Sequence, residues 1–137
     1  MSLTEVRIEK IPYALSLGMK CEITGDQLLF SLPTNERFIG NPMIKAFHGG
    51  IINAFLNCSM RLGAMSHENL EEPPRLVSIT TTYLRSARIA DDLNASIKIN
   101  KTGKRIISIA AEVWQNSEND AARLVAEASA SLKLTGA

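Results

Sequence analysis

The sequence predicts an α+β fold in which a curved antiparallel sheet wraps around one long central helix. Three observations predict it. Residues 49–65 are apolar on most sides, as a buried helix is. Four segments rich in strand-forming residues follow one another to the C-terminus. Short turns separate most of them, which makes sequential strands antiparallel neighbours.

Each element has its own signal. Ser2-Leu3-Thr4-Glu5 has capping-box spacing, so a short helix is expected to run to about Ile11, ahead of Pro12. Residues 18–24 and 27–32 read as two strands joined by a Gly25-Asp26 turn. Residues 33–47 look irregular, with Gly40-Asn41-Pro42 as a turn signal. The long helix opens at His48-Gly49-Gly50, and residues 67–75, with Pro73-Pro74, form a connection. Residues 76–85 include Thr80-Thr81-Thr82-Tyr83 and read as a strand. Leu93, Ala95, Ile97 and Ile99 alternate with polar residues, the mark of a half-buried strand. After a Thr102-Gly103 turn, residues 105–115 place Ile107, Ile109, Ala111 and Val113 on one face. Residues 117–120 form the next turn. The last strand puts Leu124, Ala126, Ala128, Ala130, Leu132 and Leu134 on one side and Val125, Glu127, Ser129, Ser131 and Lys133 on the other. Its small alanines imply close approach of another element, taken to be the helix.

The 137 residues suit a single domain, spanning 1–137, with a real core. A net charge of +1 and scattered basic residues give no electrostatic footprint for nucleic acid or a membrane surface. Only Lys101, Lys104 and Arg105 gather, around one turn. No apolar run approaches the ~20 residues of a membrane span, and Glu5, Arg7, Glu9 and Lys10 interrupt any signal-peptide pattern. Cys21 and Cys58 form neither a metal-ligand nor a disulfide pattern, so no metal or cofactor is expected and a cytoplasmic location is the default.

The candidate chemistry lies on the long helix. A glycine-rich helix start leaves backbone N–H groups without partners at the positive end of the helix dipole. His48 stands beside them. Asn53, Asn57 and Arg61 recur every fourth residue and share one face. Such a helix start can bind a negatively polarised carbonyl oxygen.

The element order, together with Gly40-Asn41-Pro42, His48-Gly49-Gly50-Ile51-Ile52, Tyr83-Leu84-Arg85-Ser86-Ala87 and Gly103-Lys104-Arg105, resembles the hotdog fold over nearly the whole chain. It is most similar to acyl-CoA thioesterases of the phenylacetate-degradation, PaaI-like type. The resemblance implies hydrolysis of an acyl-CoA to a free acid and CoA, by a homodimer or a dimer of dimers whose sheets join edge to edge. It implies that the Gly49 N–H polarises the thioester carbonyl, assisted by His48 and an upstream asparagine best matched by Asn41. The asparagine stands seven residues before the histidine here, where six is usual. A carboxylate nine residues after the histidine, from the other subunit, is expected to activate the attacking water, and that position is Asn57. Substrate and CoA contacts are expected from Gly50, Arg61, Tyr83, Arg85, Arg88, Lys104 and Arg105, with the pantetheine arm running between the last two pairs toward Gly49.

Asn57 is the departure that matters. A carboxamide accepts no proton at neutral pH, and loss of a general base costs about 10²- to 10⁴-fold in rate. Three readings stay open: a slow enzyme relying on carbonyl polarisation, an enzyme using another carboxylate such as Glu36 or Glu68, or an acyl-CoA or acyl-carrier binding protein without turnover. A hydratase on the same fold ranks last. Each site residue also has a plainer reading: a helix cap for His48, an interface polar group for Asn57, an ion-pair partner for Arg61, solvated charge for the basic residues. His67 reads as an ordinary surface residue.

Overall fold

The computed structural model describes residues 5–117 and 120–134. Its strands are β1 (Lys20–Thr24), β2 (Gln27–Leu32), β3 (Ile39–Asn41), β4 (Ala46–Phe47), β5 (Arg75–Tyr83), β6 (Leu93–Thr102), β7 (Ile106–Ser117) and β8 (Asp120–Lys133). Its helices are α1 (Pro12–Leu17) and α2 (Gly49–His67). Six strands make one antiparallel sheet in the order β1-β2-β6-β7-β8-β5, while β3 and β4 form a separate ribbon. The sheet packs against α2, with Phe30, Phe55, Leu56, Met60, Ile109 and Leu132 fully buried between them. This is the α+β arrangement expected from the sequence. No helix among the described residues is long and apolar enough to cross a membrane.

The first expected helix is displaced. Ser2 to Thr4 lie outside the described residues, and the chain from Glu5 makes only a 3-10 turn, Ile8–Lys10, before α1. Pro12 begins α1 instead of following a helix, because proline fits a first turn whose N–H groups need no intrahelical acceptor. Gly18, expected as the start of a strand, ends α1 in the left-handed conformation at φ 85°.

Strand order differs from the sequential reading. β5 does not pair with β6 but crosses to the far side of the sheet and pairs with β8. The final strands are therefore interior, and the open edges belong to β1 and β5. The reason is α2: its long axis covers the inner face, and residues 84–92 carry the chain across one end of the sheet instead of turning back.

The alternation expected in β8 holds from Ala126 to Leu132 and breaks before it. Val113 faces Ala126, yet Trp114 faces Leu124, so Val125 is an extra residue, a β-bulge. Val125 is fully buried and its carbonyl accepts from the N–H groups of Leu84 and Arg85 at 2.8 and 3.1 Å. Leu124 and Arg123 consequently exchange faces relative to the simple pattern.

Candidate active site

The β3–β4 ribbon sets the start of α2. The His48 N–H donates to the Phe38 carbonyl at 2.7 Å, and the Phe47 N–H donates to Ala87 O at 2.9 Å. Gly40 has to be glycine here, since a Cβ on it would lie 2.6 Å from His48 Cα. Expected as part of a turn, it is a strand residue required by close approach. The ribbon holds His48 and Gly49 against residues 83–87, across a cleft of about 470 Å³ lined by Phe47, Gly49 and Ile52 on one side and Tyr83 to Ala87 on the other.

His48 is the N-cap of α2, and its Nδ1 accepts from the Gly50 N–H at 2.9 Å. An accepting Nδ1 places the neutral ring's proton on Nε2. The cap uses the second helical N–H. The first, that of Gly49, has no acceptor among the described residues, and Gly49 lines the cleft. The Tyr83 hydroxyl donates to the Gly49 carbonyl at 2.9 Å, so Tyr83, half exposed, braces the opening peptide. Asn41 lies next to Ala46 in the ribbon, but its Oδ1 accepts from the Met43 N–H at 3.0 Å and shapes its own loop.

The polar stripe of α2 runs along β5. Asn53 Oδ1 accepts from the Thr81 hydroxyl at 2.6 Å, and Arg61 Nε donates to the Pro74 carbonyl at 2.8 Å. Between these tied residues, Asn57 Oδ1 is buried and has no hydrogen-bond partner among the described residues. Cys58 beside it has its thiol pushed up to about 11 by burial, opposed by the Arg61 charge. Of the alternative carboxylates, Glu68 accepts from the Thr102 hydroxyl at the far end of α2. Glu36 is exposed in the turn leading to Phe38. His67 is half-buried in the last turn of α2, next to a hollow shared with Asp26 and Lys98, and is not simple surface.

The basic residues separate into two groups. Arg85 Nη1 donates to Leu124 O at 2.8 Å, and Arg88 Nη1 donates to Ser117 Oγ at 3.3 Å, both at the Gly49 end. Lys104 and Arg105 lie at the β6–β7 turn, beside a hollow of about 430 Å³, at the end where Arg75 and Lys133 pair. The nine residues of β5 put its two ends on the order of 25 Å apart. One chain does not bring the two groups together. Arg123, which drew no notice in the sequence, joins the first group: its Nη1 donates to Ser86 O at 2.9 Å. A smaller groove of about 250 Å³ near Thr82, Glu112 and Glu127 lies on the sheet face away from α2 and has none of the helix-start donors.

The sequence profile of the thioesterase superfamily matches residues 45–122, more than half of the chain and all of the helix start. The chain belongs to the thioesterase superfamily. No curated protein matches it in sequence. Among solved structures, a Chromobacterium violaceum protein is 28% identical, with 94% of this chain and 87% of that one aligned at a TM-score of 0.71. The Escherichia coli PaaI protein of the phenylacetic acid degradation operon is 16% identical, covering 92% and 90% at 0.76. Mouse thioesterase superfamily member 2 is 16% identical, covering 93% and 91% at 0.74. The fold of this thioesterase-superfamily chain is the hotdog fold that the motif order resembles.

Proposed function

We propose that the protein is an acyl-CoA thioesterase acting as a homodimer, with no cofactor beyond its substrate. The observation that carries this reading is the Gly49 N–H, without an acceptor, at a capped helix start that borders an open cleft. A thioester carbonyl placed there gains a donor aimed at the oxygen where negative charge develops. Water adds to the carbonyl carbon, the carbon–sulfur bond breaks, and the CoA sulfur leaves and takes up a proton. His48, with its proton on Nε2, is the adjacent donor.

The open edge of β5 supports the dimer. Antiparallel pairing of β5 with its copy inverts the ends of the sheet, which brings the partner's 104–105 turn toward this chain's Gly49 end. That supports a site in which Lys104 and Arg105 of one subunit serve the CoA arm bound at the other. It also runs the two polar stripes past each other, so Asn57 of one subunit faces the helix start of its neighbour.

A second reading is binding of acyl-CoA, or of an acyl-carrier protein, without turnover, and the carboxamide of Asn57 favours it. One experiment separates the two: CoA release from short, medium, long and aromatic acyl-CoAs, by wild type beside Asn57→Asp. The thioesterase reading expects measurable release by wild type and a gain of roughly 10²-fold in the variant, whose half-buried carboxylate is raised toward the range of a general base. Tight CoA binding with no release by either protein overturns it in favour of the binding reading.

A further inference from the structure

We infer that Arg61 selects acyl groups that end in a carboxylate; this rests on the acyl-CoA reading and names the acyl class that the site takes. Arg61 stands one turn after Asn57, on the face of α2 that runs along β5. Its Nε donates to the Pro74 carbonyl at 2.8 Å, which ties one edge of the guanidinium at the Arg75 end of that strand. The two Nη groups have no acceptor among the described residues, and Arg61 makes no ion pair there. The carboxylates of the connection after α2 are turned elsewhere. Glu68 accepts from the Thr102 hydroxyl, Glu72 pairs with Lys10 at 3.0 Å, and Glu71 is exposed. Among the described residues, then, Arg61 is not one half of an internal ion pair. A half-buried guanidinium with open Nη groups is costly to keep without an anion.

The surroundings of Arg61 suit an acyl chain. The polar stripe is closed at Asn53, which Thr81 occupies, and open at Asn57 Oδ1 and the Arg61 Nη groups. Between the Thr81 and Pro74 contacts, β5 turns Leu76 and Ile79, both half-buried, toward the core. β5 is also an open edge of the sheet. In an antiparallel pair of subunits, the Arg75 end of one β5 lies against the Tyr83 end of the other, next to its Gly49 cleft. A thioester carbonyl on the Gly49 N–H of one subunit then has Asn57 of its neighbour beside it. Arg61 of that neighbour stands four residues further along the helix, about 6 Å. Methylenes pass Ile79 and Leu76, and the two Nη groups meet the terminal carboxylate in a charge-assisted pair. A plain alkyl chain of the same length buries the guanidinium against a methyl group instead.

The test gives the full chain three pairs of thioesters matched in length: glutaryl- and pentanoyl-CoA, adipoyl- and hexanoyl-CoA, suberoyl- and octanoyl-CoA. Wild type, Arg61→Lys and Arg61→Met are compared after subtraction of enzyme-free hydrolysis. The readout is the ratio of kcat/KM within a pair, which is internal to each protein and insensitive to its folded fraction. Wild type is expected to favour the carboxylate member of at least one pair by roughly tenfold or more. Arg61→Met should reverse that preference, and Arg61→Lys should keep part of it, having the charge without the fork. A wild type that favours no carboxylate member overturns the inference, whether or not the variants fold, and so does a preference that Arg61→Met keeps. Where no thioester is cleaved, calorimetry reads the same ratio in Kd. Turnover or binding of alkyl thioesters without the preference overturns only the selection by Arg61. Absence of both turnover and binding across the whole panel overturns the acyl-CoA reading, and the inference with it.

Discussion

A Cβ added to Gly49, at the first turn of α2, would rest 3.7 Å from the Tyr83 ring, an ordinary contact. A Cβ added to Gly63, near the end of the same helix, would fall 2.6 Å from Ile97 Cδ1 and 2.9 Å from its Cγ1. Both residues are glycines on one buried helix, yet they answer different demands. Gly63 lacks a side chain because β6 presses against the helix there. Gly49 lacks one where the protein itself leaves room, beside a cleft and a backbone donor without an acceptor. Space that folding does not need is space available to a ligand, and this is why the opening turn is the candidate site and the closing turns are scaffold.

The contrast can be broken at several points. The largest effect is expected from His48→Ala, which removes the helix cap and the neighbouring donor together. Thioester hydrolysis should fall about 10²-fold, while unfolding in urea should show a loss of only about 1 kcal/mol. An activity that survives this change would make His48 a cap and nothing more. Next comes Gly63→Val, which should lower stability by about 1–3 kcal/mol through overpacking against Ile97, with kcat per folded molecule retained. Gly49→Ala should do the reverse. Its unfolding midpoint should stay within a few tenths of a kcal/mol of wild type, while its methyl group intrudes on the carbonyl position and lowers kcat. Equal destabilisation by Gly49→Ala and Gly63→Val would erase the distinction between the two helix ends.

The last prediction concerns the cysteines, whose effect on stability is confined to alkaline pH. Burial pushes the thiols of Cys58 and Cys21 up to about 11 from an ordinary 9.0, with Glu22 adding to the shift at Cys21. The folded state therefore holds these protons more tightly than the unfolded chain. Their contribution to stability is fully present below about pH 9 and is lost as pH rises toward 11. Chemical denaturation repeated from pH 7 to pH 11 should show a plateau followed by a decline. In native protein at pH 7 both thiols should resist alkylation, and rapid labelling of Cys58 would show that α2 opens locally.

The positions of α2, β2, β6 and the C-terminal half of β8 were legible in the residues, because helix and strand periods are local properties of the backbone. The misreading at Pro12 was local too: the same proline that stops one helix starts another. The helix-start donors were legible because two glycines after a histidine leave little else for that turn to be. Arg123 was not. Its face is inverted by a single extra residue at Val125, and whether a strand accommodates such a residue depends on what packs against it.

What the chain's own pattern decided, then, is which segments bury which faces, since a 3.6- or 2-residue repeat of apolar side chains admits one solution for each segment. Tertiary structure decided the rest. It sent β5 to the sheet edge, where the stripe of Asn53, Asn57 and Arg61 runs beside an open strand. It left Asn57 Oδ1 buried without a partner among the described residues. It also separated Lys104 and Arg105 from Gly49 by the length of the sheet. Strand order and bulge placement come from long-range packing against α2, and no repeat within a single segment encodes that packing.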